Sequence, residues 1–167
     1  MSTEKQILAA LILEFKRRVH EEGLSRIKKC LDLLTEDEVW KRPNQNTVSV
    51  GNLILHLNGN VQQWIGSGIG MNEDKRIRDT EFDTERGIAK NELFAQIEKT
   101  ILIANSIVEK ITPTDLIEVK TVQVYKEKGL NIIIHVIEHF SYHVGQITYA
   151  TKSLKNVDTN YYPEDLG

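Results

Sequence analysis

The sequence predicts an all-α protein, an up-and-down four-helix bundle that forms a single domain over residues 1–167. Apolar residues recur every three or four positions in four separate segments, which is the period of a helix with one buried face. The length of 167 residues allows one domain to bury its own core without disulfides. The chain also lacks an internal repeat of about 20 to 50 residues, which argues against stacked repeat units.

The first helix is predicted over residues 4–34. Thr3 and Gln6 match a capping box, and apolar residues follow at spacings of three and four. Gly23 shifts the phase of this apolar stripe, so we expect the helix to bend or restart there. The only cysteine, Cys30, falls near the stripe and has no partner for an internal disulfide, which favours a buried and unreactive thiol.

Three further helices are predicted over residues 49–66, 89–111 and 130–154. Ser49 is a suitable N-cap for the second helix, and Pro113 follows the end of the third. One set of apolar positions from the last three helices is expected to be buried together. These positions are Leu53, Leu57, Ile97, Ile101, Ile132, Val136 and Ile147.

Two connecting segments are candidates for the mouth of a functional site. Residues 66–88 are charged, contain glycines and have no sustained period, which predicts a loop. Residues 113–129 alternate weakly between apolar and polar side chains, which permits a short strand or hairpin.

Composition and charge restrict the classes of partner. The net charge of -3 and the charged fraction of 27% give no overall attraction to nucleic acid or to an anionic membrane. The N-terminal apolar runs are too short and too interrupted for a membrane-spanning helix or a secretion signal. We therefore expect a cytoplasmic protein whose partner is a small molecule.

The segment "HVIEHFSYHVGQI", residues 135–147, sets three histidines four positions apart on the fourth helix. With a rise of about 1.5 Å per residue, His135 and His143 lie about 12 Å apart along the axis, too far to share one ion. Only an adjacent pair can chelate a metal. The apolar stripe of this helix is centred between His139 and His143, which selects that pair and leaves His135 on the flank, where it can hydrogen-bond at the edge of the bundle.

The two remaining histidines differ in their surroundings. His56 lies among apolar positions in "NLILHLNGN" and can reach the interior, whereas His20 lies among charged residues and is expected on the solvated face. From the residues alone, two interpretations stay open. The inward histidines are satisfied core residues, or they bind a divalent cation, which uses the neutral imidazole that burial favours.

The segments "GNLILHLNGNVQQWI" and "HVIEHFSYHVGQI" together resemble the DinB (YfiT-like) superfamily, in a branch catalogued as a domain of unknown function. The resemblance implies a four-helix bundle with one divalent metal ion held by His56, His139 and His143. In relatives the residue before the last ligand is often another histidine, and here it is Tyr142. Gly145 is expected to allow close packing near the site, and Gln146 to support a ligand from behind.

Characterised members of the superfamily include metal-dependent transferases and isomerases that use low-molecular-weight thiols such as bacillithiol or mycothiol. The resemblance therefore implies a metal-dependent thiol S-transferase with Zn, Ni, Co or Fe(II), a low-molecular-weight thiol as co-substrate and a homodimeric assembly. Three protein ligands leave one position open for a substrate atom. No catalytic residue is identified beyond the ligands. The alternative is a non-catalytic metal-binding or stress-related bundle protein.

A second motif overlaps the first. Residues 135–139, "HVIEH", match the H-x-x-E-H pattern of a class of zinc proteases, in which Glu138 would be the general base. That class needs a longer chain and a distant carboxylate ligand. The helical phase also turns Glu138 away from the core face, so we consider this interpretation much weaker.

Overall fold

The computed structural model describes residues 2–162 and contains the predicted four-helix bundle. The prediction of one domain over 1–167 extends past the described residues at both ends. The first long helix consists of α1 (Thr3–Phe15), a π-helical stretch (Lys16–Leu24) and α2 (Ser25–Leu33). The second consists of α4 (Val50–Val61) and a π-helical stretch (Gln62–Ile69). The third is α6 (Lys90–Val108), and the fourth is α8 (Gly129–Lys155). The connections contain α3 (Glu36–Val39), α5 (Arg78–Asp83), α7 (Pro113–Ile117), β1 (Val119–Val122) and β2 (Tyr125–Lys128).

The phase shift predicted at Gly23 is explained by the π-helical stretch that contains it, because a wider turn rotates the apolar stripe. A side chain at this position would lie 2.5 Å from the ring of Phe140, so glycine lets the first and fourth long helices approach closely. The predicted capping box at Thr3 and Gln6 is wrong. Ser2 occupies the N-cap position without a side-chain hydrogen bond.

Contacts between the long helices fix their directions. Gln62 donates to Thr100 at 3.0 Å, and Gly70 packs near Ile107, so the second and third long helices run parallel. The second and fourth run antiparallel, since Gly68 at the end of the second lies near Ile132 at the start of the fourth.

The first and third long helices are also antiparallel. Lys16 pairs with Glu109 at 2.7 Å, and Lys90 donates to the carbonyl of Leu34 at 2.7 Å. The four directions are therefore up, down, down and up. This order refines the up-and-down prediction, in which every consecutive pair would alternate.

Because the second and third long helices are parallel, the chain between them must return along the length of the bundle. Residues 70–89 make this return, and we call them the crossover segment. The side chain of Asn52 donates to the carbonyls of Glu81 at 2.9 Å and Thr84 at 2.6 Å, and Trp40 Nε1 donates to the carbonyl of Ile88 at 3.1 Å. The segment predicted as a loop thus lies against α4 and contains the short helix α5.

The predicted core is confirmed, since all seven positions named above are buried in one cluster. Ser49 caps α4 through a capping box with Asn52, as expected. Cys30 is buried, with Sγ 3.1 Å from the Tyr161 hydroxyl. Residues 119–128 form the hairpin that the alternation permitted. Among the described residues, none of the helices is long and apolar enough to cross a membrane.

Replacing Asn52 by Ala should lower the free energy of unfolding by about 3 kcal/mol, because it removes the side-chain half of the capping box with Ser49 and two hydrogen bonds to the crossover segment. Urea denaturation measures the loss. The control is Thr35→Ala, which breaks a comparable capping box on the exposed helix α3 and should cost about 1 kcal/mol. Equal losses would show that Asn52 does not hold the crossover segment.

Candidate metal centre

Three histidines from two helices converge at the middle of the bundle. His139 Nε2 lies 3.2 Å from His56 Nε2 and 3.2 Å from His143 Nε2. All three offer a nitrogen within 4.8 Å of the others. His139 and His143 are one turn apart on α8 and therefore share a face, while the antiparallel α4 brings His56 to the same level.

These spacings fit a small divalent cation. Nitrogens bound about 2.0 to 2.1 Å from a tetrahedral ion lie about 3.3 Å from one another, which is close to the two distances of 3.2 Å. Two of the three nitrogen pairs therefore already have the spacing of a bound ion, and the third, His56 to His143, lies within 4.8 Å. The pair on α8 is the one that helical phase selected.

The hydrogen-bond partners of the outer ring nitrogens assign the protons. His56 Nδ1 faces Glu81 Oε2, which only accepts, at 2.8 Å, and Arg76 Nη2, which only donates, at 3.1 Å. We place the proton on Nδ1, toward the carboxylate, because that contact is the shorter one. His143 Nδ1 faces the amide oxygen of Gln146 at 2.7 Å and likewise donates. In the neutral rings, both Nε2 atoms then present lone pairs toward His139 Nε2. One proton on His139 cannot form two full hydrogen bonds, whereas a cation would accept all three lone pairs.

Burial keeps His139 and His143 neutral. It lowers the pKa of His139 from 6.5 to about 3, and the neighbouring His143 and His56 add to this shift. Burial also lowers the pKa of His143, against the opposing hydrogen bond to Gln146. Neutral imidazole is the form that binds metals, so these two rings are ready as ligands at neutral pH.

The crossover segment supplies a charged pair behind His56. Arg76 Nε donates to Glu81 Oε1 at 2.6 Å and Arg76 Nη2 to Glu81 Oε2 at 2.9 Å, with side-chain exposures of 5% and 8%. Burial alone would raise the pKa of Glu81, but the hydrogen bonds from Arg76 and His56 outweigh it and lower the pKa below 4.5. Glu81 therefore stays ionised and fixes the orientation of the His56 ring.

Gly59 makes room for this pair. A Cβ atom at Gly59 would lie 2.0 Å from Glu81 Oε1 and 2.9 Å from Arg76 Nε. The sequence did not reveal the two charged residues as part of the site. They lie in a segment without periodicity, and the glycine in "HLNGN" was the only local sign of a close approach.

The other two histidines lie outside the cluster. His135 is half-buried and stacks on Trp64, with ring centroids 3.9 Å apart, and its Nε2 has no hydrogen-bond partner among residues 2–162. The hydrogen bond that its position on the flank permits is therefore not made by Nε2. The expectation for His20 was wrong, because this side chain is half-buried and its Nδ1 accepts from Asn105 at 3.0 Å. Glu138 is exposed, as helical phase indicated.

Of the two residues expected to support the site near His143, Gln146 does so and Gly145 does not. Gln146 contacts His143 as described and donates to the Tyr142 hydroxyl at 3.1 Å. Gly145 does not provide close packing, since a Cβ placed there would meet nothing within 4 Å. This position faces open space instead.

Comparisons with known proteins agree with this fold. The family model described as "Protein of unknown function (DUF1572)" matches residues 7–162. The crystal structure of a DinB-like protein from Bacillus cereus is similar with a TM-score of 0.63 and 17% identity, covering 80% of this chain and 87% of that one. A DinB-like protein from Bacillus subtilis is similar with a TM-score of 0.65 and 13% identity, covering 89% and 94%. Among curated proteins, none matches the sequence significantly.

Replacing Glu81 by Gln in metal-free protein should lower the free energy of unfolding by about 2 kcal/mol at pH 7, because the buried Arg76 loses its counter-charge. The pKa of Glu81 is lowered in the folded state, so its stabilisation is complete above pH 4.5 and is lost as the pH falls through the folded pKa. The difference between wild type and variant should therefore shrink below pH 4.5. Urea denaturation with a chelator, from pH 7 downward, measures it.

The control for this prediction is Glu109→Gln, which breaks the surface pair with Lys16. Its effect should be much smaller, since exposed ion pairs are screened by water. A Glu81 effect that is equally small, or that stays constant into acid, would contradict the assignment of a buried ionised carboxylate.

Proposed function

Because the chain belongs to the DUF1572 family and has a DinB-like fold, we propose that it is a metal-dependent enzyme, a thiol S-transferase in which His56, His139 and His143 hold one divalent cation. The convergence of three imidazole nitrogens supports the proposal. The donor set of three neutral nitrogens suits Zn, Ni, Co or Fe(II) and does not distinguish among them.

A cation in such a site lowers the pKa of a bound thiol and so supplies a nucleophilic thiolate at neutral pH. The residues of this chain bind the cation and orient its ligands. The three histidines bind through Nε2, while Glu81 and Gln146 accept hydrogen bonds from Nδ1 of His56 and His143 and fix both rings. The crossover segment covers the His56 side of the cluster and keeps water from that ring.

Metal binding is tested by elemental analysis of protein purified without an affinity tag. Wild type should contain one divalent ion per chain, and His139→Ala should contain none, since it removes the central ligand. His135→Phe is the matched control, because it keeps an aromatic ring against Trp64 and should retain the metal. Loss of metal from the His135 variant and retention in a His143→Ala variant would instead favour the "HVIEH" pair.

Thiol binding is tested separately on the cobalt-substituted protein. Adding bacillithiol should produce a sulfur-to-cobalt charge-transfer band if the thiolate occupies the open position. An unchanged spectrum at saturating bacillithiol, in protein that binds one cobalt per chain, would contradict thiol transfer and favour the non-catalytic alternative.

We also propose a homodimer, as the family resemblance implies. Light scattering at micromolar concentration should then give twice the chain mass of 19.1 kDa. A single-chain mass would refute this assembly without bearing on the metal site.

A further inference from the structure

An apolar groove lies beside the metal centre, between residues 41–50 and the second half of α8. Its volume is about 570 Å³, within the range of small-molecule pockets. Apolar side chains dominate its lining, and we call it the apolar groove. The six that matter here are Val48, Val50, Leu53, Tyr149, Ala150 and Leu154.

The three histidines do not line the groove, but both of its walls carry residues that neighbour them. On α4, Leu53 lies one turn before His56. On α8, the lining residues Tyr142 and Gln146 form the hydrogen-bonded chain that ends at His143 Nδ1. A molecule in the groove therefore lies against Tyr142 and Gln146, on the Nδ1 side of His143.

Gly145 forms part of the groove lining in the middle of the longest helix. A glycine inside a helix is destabilising relative to alanine. No neighbouring atom requires it here, since a Cβ would meet nothing within 4 Å. Its structural effect is to leave free the space that a larger side chain would fill.

We propose that the apolar groove binds the hydrocarbon part of a small-molecule acceptor substrate, an uncharged alkyl chain or a single aromatic ring, and so directs its reacting end toward the metal centre. This inference rests on the proposed function for the reaction, but the binding itself does not require metal. Within the described part of the chain, Lys41 is the one charged residue that lines the groove, and the exposed lining is mostly apolar, so a charged group would lose most of its hydration there. It stabilises hydrocarbon by about 0.8 kcal/mol for each buried methylene group.

The test uses metal-free protein and two probes, 1-butanol and 1-hexanol, followed by the methyl NMR signals of Val50 and Ala150. Both signals should shift, and 1-hexanol should bind about 15-fold more tightly, the ratio expected for two buried methylene groups. Gly145→Phe should abolish the shifts by filling the groove. Gly145→Ala is the matched control and should keep them.

Both variants replace a helix glycine, so neither is expected to lose stability, and thermal unfolding verifies this. Equal affinities for the two alcohols, or binding unaffected by Gly145→Phe, would overturn the proposal. So would a change from dimer to monomer in that variant, which would identify the groove as an interface between copies. Because no metal or thiol is present, loss of alcohol binding is distinguishable from failure of the thiol experiment.

Discussion

The contact between α4 and α8 at the level of His56 and His139 is the constraint on which the site depends. Their Nε2 atoms are 3.2 Å apart within the bundle, and His143 completes the group from one turn away. Neutral rings that face one another through lone pairs gain little from the contact. The helices are held together instead by the apolar residues around them, such as Leu57 and Val136, which are fully buried. The core therefore imposes the imidazole geometry.

Topology explains why a charged pair supports one of these rings. The second and third long helices are parallel, so the connection between them must return over the length of α4. This return carries Arg76 and Glu81 past His56, and the missing side chain at Gly59 lets them approach. An alternating bundle would join these helices by a short turn and would have no such segment at this position. The unusual order of directions and the carboxylate behind His56 are thus consequences of the same connection.

The sequence predicted the parts of the molecule that depend on local periodicity. The recurrence of apolar residues located the four long helices, and the phase of α8 separated His139 and His143 from His135. Arg76 and Glu81 could not be found in this way, because the crossover segment has no period and its contacts depend on the path of a long connection. The direction of the third helix was missed for the same reason. The position of Gly145 was equally hidden, since a sequence does not distinguish a glycine beside a close neighbour from one beside open space.

The surroundings of the three histidines differ, so the cluster is closed on one side and accessible on another. His56 is 7% exposed and is backed by an ionised carboxylate, so the crossover segment closes its side. His139 is held by packing, because its Nδ1 has no partner within residues 2–162. His143 is backed by the neutral amide of Gln146, in a contact that is exposed to solvent. A ligand therefore meets least obstruction from the His143 side, where Gln146 and Tyr142 also line the apolar groove. Closure on one side and access on the other are what a site that binds and releases a small molecule requires.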